Sequence, residues 1–90
     1  MNEVTLVGIE SGLLNFNRYI KVADNQNREV AIVAIEQHFD CILISISSFG
    51  RLLEKVIIEN WQKPSSENVW EQVNVLLNKN GLIVNSEKAL

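Results

Sequence analysis

This chain has little of what usually announces a function. Its 90 residues hold one cysteine, one histidine and one proline. With Cys41 alone, no disulfide can form within the chain, which fits a reducing compartment. One cysteine and one histidine cannot supply the four-ligand sets of a structural zinc site. No apolar run approaches the ~18–20 residues that cross a bilayer as a helix. The opening Met1-Asn2-Glu3-Val4-Thr5-Leu6 lacks the basic stretch of a secretory signal. A cytoplasmic protein that enters no membrane is expected.

Basic charge is also scarce. Eight Lys and Arg face 11 Asp and Glu, for a net charge of −3. Arg18, Lys21, Arg28, Arg51, Lys55, Lys63, Lys79 and Lys88 are scattered, so the basic stripe of a nucleic-acid binder is missing. Tyr19 beside Arg18 and Lys21 is a single aromatic, where sheet-based RNA binders use several. Gly8-Ile9-Glu10-Ser11-Gly12 lacks both the Gly-x-Gly-x-x-Gly spacing and the lysine of a phosphate loop, and reads as a turn. There is no internal repeat, no low-complexity segment and no family signature.

What is present is an ordinary globular composition, 47% hydrophobic and 21% charged. It predicts a single domain over residues 1–90, with 86–90 as a polar tail. A domain this small buries only roughly 60–65% of its unfolded surface, and oligomerisation is a common supplement.

The first third reads as strands, near residues 3–9, 16–23 and 28–35. Asp24-Asn25-Gln26-Asn27 is a cluster of turn formers, so a hairpin centred on Asn25 and Gln26 is expected. Residues 36–62 carry two signals. By propensity, Cys41–Ile46 is a strand, followed by a turn at Ser47–Gly50 and a shorter helix. By period, the row Phe39, Ile42, Ile46, Phe49, Leu53, Val56 and Asn60 alternates threes and fours, as on a helix packed along its length. Placed at ~100° per residue, Leu43, Leu52, Ile57 and Trp61 join that apolar half, while Ile44 and Ile58 fall on the polar half. The period predicts one helix from Glu36 to Gln62, with Gly50 marking close approach of a neighbour. Such a helix is about 40 Å long and overhangs a domain of radius near 12 Å.

Pro64 ends that helix. Ser65 or Ser66 caps a second, with Glu67 in its first turn and Val69, Trp70, Val73, Leu76 and Leu77 as its stripe. Asn80-Gly81 closes it, and a short strand follows at 82–85. The expected fold is α+β: a small antiparallel sheet of three strands plus a short C-terminal strand, with one long and one shorter helix packed on one face.

Candidate chemistry is thin. Glu36, His38, Asp40 and Cys41 are the one concentration of possible ligands, and they read as a solvated segment. Cys41 and His38 lack an oxyanion hole or an orienting group. No catalytic residue, metal site or cofactor is assigned. A non-enzymatic binding protein is expected: an adaptor, inhibitor or accessory subunit that acts through the apolar face of the long helix, as a homo-oligomer or with another protein. Ile44, Arg51, Ile58 and Trp61 are its partner-binding candidates. The alternative is a small-molecule or nucleotide binder with a pocket between sheet and long helix, where Tyr19 and Trp70 stack on the ligand.

Overall fold

Alternation of buried and exposed side chains, rather than helical periodicity, organises most of this chain. The computed structural model describes residues 2–8 and 17–88. The expected turn at Glu10–Gly12 lies outside them. Five strands come first: β1 (Asn2–Val7), β2 (Arg18–Ala23), β3 (Glu29–Gln37), β4 (Cys41–Ser48) and β5 (Arg51–Glu59). The helix α1 (Ser66–Lys79) and a last strand, β6 (Leu82–Lys88), complete the order. All six strands form one sheet in the order β5-β4-β3-β2-β1-β6. Strands β1 to β5 pair antiparallel in sequence, and β6 pairs parallel with β1. A parallel neighbour requires a long crossover, and α1 supplies it.

The structure therefore corrects the expected fold class. It is a six-stranded mixed sheet with one α-helix among the described residues, in place of a three-stranded sheet with two helices. The helix expected from Glu36 to Gln62 is instead the end of β3, then β4, β5 and a 3-10 turn at Asn60–Gln62. Its overhang disappears with it. The short C-terminal strand and polar tail are one longer strand reaching Lys88.

The physical reason is burial. On a helix, Ile44 points to solvent. In the β4–β5 hairpin, Ile42, Ile44 and Ile46 share one face, all at most 2% exposed. Ile44 sits opposite Val56, and Ile42 opposite Ile58. Fully burying each such side chain is worth about 1.5–3 kcal/mol. The β-branched content of β4 favours the same outcome. A register shift near Ile46 and Ser47 inserts one extra residue, Leu53, into β5. That irregularity helped period two to imitate a three-four repeat.

Turns confirm the hairpins. Asp24 Oδ1 accepts the N–H groups of Gln26 and Arg28, each at 2.9 Å, and Oδ2 accepts Arg28 Nε at 3.0 Å. These bonds close β2–β3 around Asn25 and Gln26, as the turn formers predict. Phe49 and Gly50 join β4 to β5 with φ of 51° and 78°. A two-residue loop with both φ positive matches the twist of its strands. Gly50 is thus needed for its conformation. A Cβ there would meet nothing within 4 Å, so the expected close approach is absent.

The helix follows its pattern closely. The Ser65 Oγ accepts the Asn68 N–H at 3.2 Å, and the Ser65 N–H donates to Asn68 Oδ1. Val69, Val73, Leu76 and Leu77 face the sheet, all fully buried. They meet Leu6, Ile20, Val22, Val33, Ile35 and the β4 isoleucines in one core. No helix among the described residues is long and apolar enough to cross a membrane.

Two outcomes test this architecture. Leu76→Ala should cost about 2–5 kcal/mol in urea denaturation, because its site is fully closed. Phe49→Asn should stabilise the chain by about 0.5–1 kcal/mol, since Asn suits the left-handed region better than Phe. Thermal melts of the two variants check both.

Candidate functional site

Among the described residues one face of the sheet carries no helix, and its apolar side chains gather toward β5. Strand pairing sets its rows. Tyr19, Ala34, Ser45 and Lys55 lie side by side across four strands. Glu36, Leu43 and Ile57 form the next row. Leu52 stands opposite Ser47, which pairs with Ile32. Ile57 is 53% exposed and Leu52 54%. Leu53, at the bulge, is exposed as well. Strand β5 is thus an edge strand that keeps large apolar side chains in water.

Its backbone is open too. The Asn60 N–H donates to the Asp40 carbonyl at 2.9 Å, continuing the β4–β5 ladder. Hydrogen-bonded pairs alternate along an antiparallel ladder. Val56 and Ile58 therefore turn their N–H and C=O groups toward β4. Lys55, Ile57 and Glu59 turn theirs toward the free edge. Among the described residues only the Glu59 N–H is already engaged there, donating to Gln62 Oε1 at 2.9 Å.

Asn60 builds the corner beyond β5. Its Nδ2 donates to the Phe39 carbonyl at 2.6 Å, tying the β3–β4 turn to the end of β5. Phe39, fully exposed, and Trp61, 78% exposed, flank this knot. The polar residue that closes the apolar row is a fastener for two turns.

The sequence-based candidates land in different places. Arg51 and Trp61 are exposed near opposite ends of β5. Ile44 is fully buried and Ile58 nearly so. Their place on the polar half of a helix falls with the helix, and neither presents a surface. Tyr19 lies exposed on the open face, while Trp70 packs from α1 against the core on the other face. The two rings do not share a pocket. A cleft of about 380 Å³ does lie between β5 and α1, beside Val56, Ile58, Gln62, Asn68 and Gln72, but neither Tyr19 nor Trp70 lines it. Leu52, Leu53, Ile57 and Phe39 were missed as surface groups. The helical wheel had turned all four inward; counting by twos through the segment separates Leu43, Lys55 and Ile57 from the buried set.

The Glu36–Cys41 segment holds one weak contact, His38 Nε2 to Glu36 Oε2 at 3.4 Å. Among the described residues, no three of His, Cys, Asp and Glu converge on a point that suits a metal ion. Desolvation pushes the half-buried Cys41 thiol up, and the Asp40 carboxylate beside it adds to the shift. Both effects hold it as a neutral thiol, the poor nucleophile of the two forms.

Comparison of the chain with protein-family models, curated proteins and solved structures finds no match in any of the three.

The thiol gives a direct check on this geometry. Alkylation of Cys41 by iodoacetamide should reach half its limiting rate above pH 9.0, the ordinary thiol value. A midpoint below that value would mark an activated cysteine.

Proposed function

We propose that this chain is a non-enzymatic cytoplasmic binding protein that docks a protein partner along β5 and its aromatic corner. The observation that carries it is the gathering of Leu52, Leu53, Ile57, Trp61 and Phe39 at one side of the molecule, all exposed. Single exposed apolar residues are ordinary, whereas several large ones along one open strand edge support an interaction site. Strand addition at such an edge draws affinity from main-chain hydrogen bonds and specificity from neighbouring side chains. Trp61 is the natural anchor, since tryptophan dominates binding hot spots. The cytoplasmic assignment rests on the single, unpaired Cys41.

Tagged wild-type chain and the Leu53→Ser/Trp61→Ser variant, each passed through host extract, separate this reading from others. The wild type should retain a defined protein, either untagged copies of itself or another chain. The variant should retain at least about tenfold less, as loss of a hot-spot aromatic implies. Its melting temperature should stay close to wild type, because neither side chain is buried. Equal recovery on both would reject a docking role for β5.

A further inference from the structure

Building on β5 as a docking edge, we propose that its partner is a second copy of the same strand, paired antiparallel in a register centred on Ile57. Two observations select a copy of this chain. The edge offers free N–H and C=O groups at Lys55 and Ile57, as derived from the β4–β5 ladder. The charges of the strand are also self-complementary in one register.

A two-fold axis normal to the sheet pairs residues of β5 with like-facing residues of the partner. Centred on Ile57, it sets Lys55 opposite the partner's Glu59 and Glu59 opposite the partner's Lys55. Ile57 then meets its own counterpart. Opposite charges across a strand pair stabilise it, and like charges directly opposed destabilise it. The neighbouring registers lack this match. Centred on Lys55, the pairing opposes two lysines at its centre, and the bulge at Leu53 shifts Arg51 out of line with the partner's Glu59. Centred on Val56, it sets Lys55 against isoleucine and Glu59 against Leu53. Centred on Glu59, it opposes two carboxylates.

One backbone bond changes hands, while the Glu59 carboxylate accepts the Gln62 N–H and has further acceptor capacity for the partner's Lys55. Gln62 Oε1 holds the Glu59 N–H in the single chain. In the pair, the partner's Lys55 carbonyl takes that place, one acceptor for another. The result is a continuous sheet of six strands from each copy, with both helices on one face and both open faces on the other. An isologous dimer of this kind leaves no further copy to add at β5.

Sedimentation velocity and cysteine crosslinking test it together. The wild-type chain should sediment as a dimer. Lys55→Glu or Glu59→Lys should each weaken the dimer at least about tenfold, since two attractive pairs become repulsive. The Lys55→Glu/Glu59→Lys double variant should restore it. Circular dichroism of each variant should match wild type. In a Cys41→Ser background, Ile57→Cys should form a disulfide-linked dimer on mild oxidation, because facing Cα atoms fall within disulfide range. Lys55→Cys should not, because its counterpart lies several residues away along the strand. Crosslinking through Lys55→Cys instead of Ile57→Cys would overturn the register. A monomer at every concentration would overturn the self-pairing. If that monomer still retained another protein through Leu53 and Trp61, β5 would remain a docking edge for a different partner.

Discussion

Among the described residues one helix has to cover six strands, and everything else in their arrangement follows from that shortage. A sheet needs apolar neighbours on at least one face. Here α1 and its four buried side chains close the face lined by Leu6, Ile20, Val33 and Ile44. Among the described residues no element is left for the other face. It carries a mixed population, with Lys21 and Lys55 among Tyr19, Ile32, Leu43 and Ile57. An antiparallel sheet tolerates one wet face. The apolar members of that face are the cost of leaving it open, and they concentrate where the sheet ends at β5.

The two ends of the sheet are managed differently. At β6, Thr5 and Ser86 join hydroxyls at 2.6 Å, Asn85 Nδ2 donates to Glu3 Oε2, and a bulge interrupts the pairing with β1. Bulges and polar side chains are the usual means of blunting an edge. Strand β5 also has a bulge, but it lies near the Phe49-Gly50 turn and leaves Lys55–Glu59 regular. Along that regular part, Ile57 and the flanking Leu53 and Trp61 stay exposed. One edge carries a bulge and polar side chains, and the other leaves large apolar side chains exposed along a regular strand. Phe49 adds to this asymmetry: a 93% exposed aromatic held at a positive φ gains nothing from the fold.

Legibility in the sequence followed the local signals. The helix at Ser66–Lys79 was readable because cap, stripe and terminal Asn80-Gly81 agree at every position. The β2–β3 hairpin was readable from Asp24 and its turn. Residues 36–62 were misread because a hairpin with a bulge can imitate a three-four repeat over seven positions. The decisive evidence was already there. Ile44 falls among buried residues only if Ile42 and Ile46 are counted by twos, and Gly50 follows an aromatic at a two-residue turn. What no local pattern contains is the parallel return of β6 beside β1. That pairing depends on α1 crossing the sheet, a long-range outcome. Of the candidate residues, Arg51 lies on the polar half of the wheel and is exposed, while Trp61 lies on its apolar half and is exposed all the same. Leu52, Leu53 and Ile57 were hidden by the same error that produced the helix, because a wheel assigns sides by angle and a strand by parity.

Lys55 shows how one residue can both protect and direct an edge. A lysine in the middle of an exposed strand opposes unregulated pairing, since stacking identical strands in register places like charges together. The same charge favours one antiparallel arrangement, the one that sets it against Glu59. Strand edges otherwise pair promiscuously, because backbone hydrogen bonds are the same in every register. Discrimination has to come from side chains, by attraction in one alignment and repulsion in the rest. On β5 the two charges beside Ile57 provide both terms. The strand can therefore keep its apolar side chains exposed without becoming a template for open-ended assembly.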